Sequence, residues 1–326
     1  SYNNDSAYTY DYIYYIQNHP YAADKGRILD RNRFVMTNTI DLYANYNRKI
    51  GEDFELGAMV GHSFLKTRSR TSYIDAQNYP SPAFDVASVA ANIVDASAGL
   101  SEYAIESYFA RLSLAYKDRY VVNATIRTDG SSRFAPNTRW GYFPAASVGW
   151  RMSDESFLRD VKWVDDLKIR ASVGQTGNAQ IGNSEYLALY GTSNIDLGNG
   201  LTSQVYPSQI ANNDLGWEKN TQYNIGLDVS LWRGTLGFTA DYYYSKTTDM
   251  LFDVPVSSVS GLTSSNVNIG SMQNRGIELA LTSRRSFGDF SYAFAANWSL
   301  NRNKVLSLGD ENADIIKESS YAGGYY

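Results

Sequence analysis

The sequence contains no cysteine, which excludes disulfides, thiolate metal sites and cysteine nucleophiles. It has two histidines, His19 and His62. They are too far apart in sequence to form a local metal motif. No HExxH, no GxSxG and no glycine-rich phosphate loop occurs. The Asp- and Asn-rich turns lack EF-hand spacing. No pair of carboxylates has a spacing that singles it out for glycosidic acid–base work. The expectation is therefore a protein that is not an enzyme and has no cofactor. Charged residues make up 19% of the chain, below the roughly 25% of soluble domains. The net charge of -5 argues against nucleic acid as a partner. No apolar run reaches the 18 or so residues of a membrane helix. That says nothing against membrane strands, which alternate and escape hydropathy windows. The chain opens Ser-Tyr-Asn-Asn with no signal-peptide pattern, so the expectation is a mature product or an internal fragment.

What is present is tyrosine and a period of two. The 326 residues include 27 tyrosines, 13 phenylalanines and 6 tryptophans, and 43% are hydrophobic. Tyr108, Ala110, Leu112, Leu114 and Tyr116 alternate with Arg111, Ser113 and Ala115. Tyr120, Val122, Ala124 and Ile126 alternate with Asn123, Thr125 and Arg127. The same alternation recurs around 40–47, 54–61, 142–150, 167–173, 222–231, 236–244, 277–282 and 290–300. Strict alternation of this kind reads as half-buried strands. It predicts ten to twelve of them, several near the 9–11 residues that cross a bilayer.

Short polar links at Arg48–Asp53, Lys117–Arg119, Trp232–Gly234 and Phe287–Asp289 read as hairpin turns. Long polar connections, roughly 65–102, 128–139, 175–220 and 246–275, alternate with them. Outer-membrane barrels have this asymmetry of short turns and long loops. Trp140, Trp150, Trp217, Trp232, Trp298 and several tyrosines fall at strand ends, where interfacial girdles form. The Ala/Val/Asp run at 83–100 reads as a short helix over the barrel mouth. Tyr10, Tyr12, Tyr14, Tyr15 and His19 read as a loop, a strand cap or a stacking surface for sugars. The fold class is all-β, a transmembrane antiparallel β-barrel. The alternative is a soluble or surface-attached β-rich protein that binds carbohydrate or acts in adhesion. A soluble sheet usually carries many Lys and Glu on its wet face. Here that face is Ser, Thr, Asn, Gly and Asp with occasional Arg.

Eight ordered blocks carry a resemblance. They are NATIRTDGSSRF at 123–134, RWGYFP at 139–144, SVGWR at 147–151 and DLKIRASVGQTGN at 166–178. LGWEKNTQYNIGLD follows at 215–228, DYYYSKTTDML at 241–251, NIGSMQNRGIEL at 268–279 and NRNKV at 301–305. Together they resemble the SusC/RagA-like TonB-dependent outer-membrane transporters of Bacteroidetes. That resemblance implies a 22-stranded barrel closed by a plug. Residues 1–326 would be a C-terminal portion, a partial arc, with the plug absent from this chain. It also implies TonB-energised import of a nutrient oligomer, a glycan or a peptide, in the cell outer membrane. The implied partners are a SusD-like lipoprotein, TonB acting through an N-terminal part, the plug and the remaining barrel strands.

The candidate residues are Asp129 and Arg133 in the loop after an alternating strand, and Arg139 and Trp140 at the start of the next. Asp129-Gly130 is a turn signal, and a local Arg133–Asp129 pair is expected. Arg111, Arg127 and Arg170 fall on the interior face with Asp228, Asp241 and Glu278. Opposite charges on one face predict a ladder of ion pairs lining the lumen. Trp217 is expected in the girdle.

Overall fold

The computed structural model describes residues 2–11, 27–81, 83–84, 86–196, 198, 200–256, 261–262 and 264–309, with the backbone alone at 2–11, 194, 196, 201 and 255. Eleven strands form one sheet. In chain order they begin with β1 (Tyr2–Asp11), β2 (Arg27–Ile50), β3 (Phe54–Gln77), β4 (Asn92–Tyr116), β5 (Tyr120–Ser131), β6 (Trp140–Arg151) and β7 (Val164–Asn178). Two strands, β8 (Leu189–Asp196) and β9 (Leu201–Gln209), form a separate hairpin. The sheet resumes with β10 (Glu218–Leu231) and β11 (Leu236–Thr248). A second hairpin, β12 (Leu251–Pro255) and β13 (Ser264–Asn268), precedes β14 (Ser271–Phe287) and β15 (Phe290–Ser307). The strand order is β1-β2-β3-β4-β5-β6-β7-β10-β11-β14-β15. Among the described residues β1 and β15 are its two ends.

The chain packs as two units, residues 1–42 with 63–106, and residues 43–62 with 107–326. The first has a small core of Ile28, Ala76 and Tyr79, with Ile74, Ala87 and Ala90 against it. Arg27 donates to both carboxylate oxygens of Asp75, at 2.8 and 2.5 Å. In the second unit the four expected turns are all present. Lys117 and Asp118 sit at φ 51° and 54°, the left-handed pair that matches a two-residue hairpin to the strand twist.

Register gives the sheet two unlike faces, because directly opposed residues point to one side. One row runs Val122, Val148, Ala171, Ile225, Tyr242, Ile277 and Leu300 across seven strands. Its neighbour on the other face runs Asn123, Ser147, Ser172, Asn224, Tyr243, Gly276 and Asn301. Ile225 is 60% and Val148 51% exposed. The apolar row is therefore the bare face, the reverse of a water-soluble fold.

Rings collect at the tight-turn end. Phe54, Tyr116, Tyr120 and Trp150 follow one another with centroids 4.5, 6.2 and 6.3 Å apart. Trp163 lies 6.5 Å from Trp232. Glu155, in the turn after β6, accepts from the Tyr120 hydroxyl at 2.5 Å and from Trp150 Nε1 at 3.2 Å. The Tyr120 bond first, then the Trp150 bond, holds its carboxyl below the usual range. A depressed carboxyl contributes order above its unfolded pKa and loses it as pH falls through the folded value. Acidification from pH 7 to below about 4 is expected to change Trp150 fluorescence. Glu155→Gln is expected to remove that pH step.

Two expectations need correction. Among the described residues of 83–100 there is a single 3-10 turn, at Ala87–Val89, and β4 already begins at Asn92. The supposed 65–102 loop is largely strand on both sides. Its apolar alternation fades because both faces are polar there, as in Lys66, Arg68 and Arg70 against Thr67, Ser69 and Thr71. The other long connections hold two further hairpins. Tyr10 falls in β1. Tyr12, Tyr14, Tyr15 and His19 lie outside the described residues.

Candidate functional site

Arg170 is the hub of the polar face. It stands opposite Gly149 on one side and Gly226 on the other, and Gly226 opposes Asp241. Nε donates to Asp228 Oδ2 at 2.8 Å, and Nη2 to Asp241 Oδ2 at 2.7 Å. Nη1 reaches Asp241 Oδ1 at 2.8 Å. One planar fork thus clamps carboxylates from two strands. Gly226 makes the space. A Cβ there would stand 2.5 Å from Arg170 Cζ and 2.7 Å from Asp241 Oδ1. A free arginine tip would swing away, but this one is tethered on both sides.

The expected ladder is real at this hub and interrupted beyond it. Glu278 is directly opposite Asp241, so like charges meet there. Arg111 is exposed and makes no ion pair with a described residue. Arg170→Met is expected to cost about 1–3 kcal/mol, between the values for exposed and buried pairs. The side chains are a third exposed or less. Gly226→Val should cost a similar amount and should not add to it. Urea unfolding of the single and double variants checks this.

Arg127 forms a second node. Its Nε lies 2.8 and 2.9 Å from the two Asp129 oxygens, and Nη2 donates to the Ser107 hydroxyl at 3.0 Å. Its guanidinium carbon lies 5.7 Å from the Phe109 ring centre, within cation–π range. The expected Arg133–Asp129 pair does not form. Asp129 lies within β5 and not in a loop after it, and it belongs to Arg127 because alternate strand residues share a face.

Arg133 turns the other way. Nε donates to Asn183 Oδ1 and Nη1 to Ala179 O, both at 2.9 Å. The chain following it dives inward. Phe134 and Leu215 are fully buried, and Ala135 nearly so. Phe134, Phe143, Leu215 and Trp217 form one apolar cluster. The Phe134 and Phe143 rings each lie 5.4 Å from Trp217. Trp217 is therefore a buried anchor and not a girdle residue. Its Nε1 donates to Arg139 O at 2.8 Å, satisfying the polar handle that burial requires. Thr138 Oγ1 donates to Leu215 O at 2.7 Å. Arg139 thus contributes its carbonyl. Trp140 points out on the apolar face, 6.2 Å from Tyr108.

Asparagines tie this cluster to the two hairpin-bearing loops. The Asn268 amide accepts from Gly216 N at 2.6 Å and donates to Gly216 O and Asp249 O at 2.9 and 2.8 Å. Asn212 donates to Asn266 O at 2.8 Å, and Asn266 to Glu185 at 3.0 Å. Three loops are bound into one body. None of these asparagines stood out in the sequence, since their bonds span 19 to 81 residues. Among the described residues no cluster of three metal-ligating side chains occurs.

Comparison with known proteins supplies the family. Residues 1–324 match the model of the TonB dependent receptor-like β-barrel. A TonB-dependent receptor, P39 of Formosa agariphila, is 32% identical over 316 residues, 93% of this chain and 30% of that protein. The TonB-dependent receptor SusC of Bacteroides thetaiotaomicron is 31% identical over 299 residues, 89% of this chain and 29% of its own length. The chain thus spans about a third of the curated relatives it matches. Among solved structures, the RagAB peptide transporter superposes with a TM-score of 0.86 at 27% identity, covering 94% of this chain and 34% of that one.

Proposed function

The chain belongs to the TonB-dependent receptor β-barrel family, and from that premise we propose that it forms a C-terminal portion of an outer-membrane importer for nutrient oligomers. The observation that carries this reading is the bare apolar row through Ile225, backed by a polar row through Asn224. The dimensions support it. Trp150 and Trp140 lie on one face of β6, ten residues apart, or about 34 Å of strand. At the roughly 40° tilt of barrel strands that is about 26 Å, close to the apolar band of outer-membrane barrels.

In this reading the apolar face meets lipid and the polar face lines the lumen. Sheet edges cannot stay open in hydrocarbon, so further strands complete the barrel and a plug fills it. Energy arrives from the inner membrane through TonB, engaging a part outside these residues. A SusD-like surface lipoprotein caps the long loops. Arg111, Arg170 and Arg127 with its partner Asp129 line the route, and Arg133 and Arg139 hold the loop framework. Trp140 marks the outer interface. The cargo is a glycan or a peptide, and the likeness to the RagAB peptide transporter weighs toward peptide.

The test is uptake of labelled peptides and glycans by cells carrying the intact receptor. Uptake of one class is expected, abolished by a protonophore or by loss of TonB. Uptake unaffected by either would overturn the energised import reading.

A further inference from the structure

Among the described residues, part of β4 has a neighbouring strand on one side only. β4 has 25 residues and β5 has 12, joined by the Lys117–Arg119 turn. Twelve residues counted back from Tyr116 reach Ile105, so β5 covers β4 no further than that. Between Asn92 and Leu100 the described neighbour is β3. The Ala91 amide donates to Asn78 O at 3.1 Å, and a Cβ on Gly99 would lie 3.0 Å from Thr71 Oγ1. Residues 91–100 are exposed throughout.

Backbone groups alternate in direction along an antiparallel strand. Ala91 faces β3, so Ile93, Asp95, Ser97 and Gly99 do as well. Asn92, Val94, Ala96, Ala98 and Leu100 turn their N–H and C=O groups to the other side, where no described strand lies. Natural sheets blunt such an edge with lysine, proline or a bulge. This stretch has no lysine and no proline, and Asp95 is its one charge.

We propose that the Asn92–Leu100 edge binds extended peptide cargo by strand addition. This rests on the import reading above and narrows its cargo class. Donors and acceptors repeating at strand spacing match another extended polypeptide, whereas the hydroxyls of a glycan have no such repeat. Nine residues offer about 30 Å of edge, enough for a peptide of about that length. The central Ala96, Ser97, Ala98 and Gly99 are small, so side chains of any kind fit beside them. Recognition through the main chain suits an importer of mixed peptides. A folded partner is less well matched, because Ile93 lies on one face and Val94 and Leu100 on the other. No single apolar face is offered for it to cover.

The experiment measures binding of a labelled nine-residue neutral peptide to the intact receptor, with and without N-methylation at four consecutive central residues. The double variant Ala96→Pro, Ala98→Pro removes two outward amides and leaves the β3 ladder intact, the edge placement that proline tolerates. The N-methylated peptide and the proline variant are each expected to lose about tenfold or more in affinity. Ala96→Ser, Ala98→Ser should bind as wild type. Equal binding of the N-methylated peptide to the wild type would overturn the edge proposal without needing any variant. So would undiminished peptide binding by a folded proline variant that has instead lost a co-purifying lipoprotein. Either result leaves the import reading standing. That reading fails separately if cells carrying the wild type take up neither peptide nor glycan.

Discussion

Phe134→Ala is expected to loosen the whole loop framework, at a cost of about 3–5 kcal/mol, the range for truncating a fully buried phenylalanine. Phe134 has no exposed surface, and its ring packs on Trp217, which packs in turn on Phe143. The site cannot collapse readily to fill the space. Gly141 and Gly177 already let the Phe143 and Trp217 rings approach so closely that a Cβ at either would collide with them. Loss of the Phe134 ring should also weaken the Trp217–Arg139 and Thr138–Leu215 hydrogen bonds, which cross the same cluster. The readout is local. Trypsin should cut the intact receptor after Arg133 or Arg139 in the variant and not in the wild type. The strands themselves should keep their heat-modifiable gel mobility. Phe134→Leu should recover most of the protection.

Ile225→Arg should destabilise the receptor in a bilayer by about 2–4 kcal/mol, the cost of a cation on the lipid face near the midplane. Asn224→Arg, one residue away, should cost little, because its side chain meets lumen water. The contrast comes from period two alone. Adjacent residues on β10 point to opposite faces, and Ile225 belongs to the alternating apolar series Tyr223, Ile225, Leu227, Val229 and Leu231. Denaturant titration of both variants in lipid vesicles measures the difference. In detergent-free water the order would be reversed for a soluble sheet, where Ile225→Arg would improve solubility.

The membrane-crossing part of the fold was legible because a half-buried strand writes its faces directly into the sequence. The run from Tyr120 to Ile126 gave both its strand and its outward face. The turns were legible as polar pairs between such runs. The long upper reaches of β2, β3 and β4 were not, since a strand with polar residues on both faces has no alternation to read. Trp217 misled for a related reason. A tryptophan at a strand end has the same local sequence whether it meets an interface or a buried Phe134, and only the long-range contact separates them. The Arg170 hub was half legible. Its face followed from periodicity, and its partners from charge. The space beneath it depends on Gly226, whose role appears only in register with Arg170 and Asp241.

The lack of cysteine in these residues provides the most direct measurement of the central claim. Single cysteines at Ile225, Ile277, Asn224 and Asn301 can be probed in outer-membrane vesicles with a membrane-impermeant maleimide, after subtracting any label on the wild-type receptor. Ile225→Cys and Ile277→Cys are expected to stay unlabelled until detergent is added, whereas Asn224→Cys and Asn301→Cys label at once. Equal labelling of both pairs without detergent would contradict a lipid-facing sheet, and with it the account of this chain as part of a membrane importer.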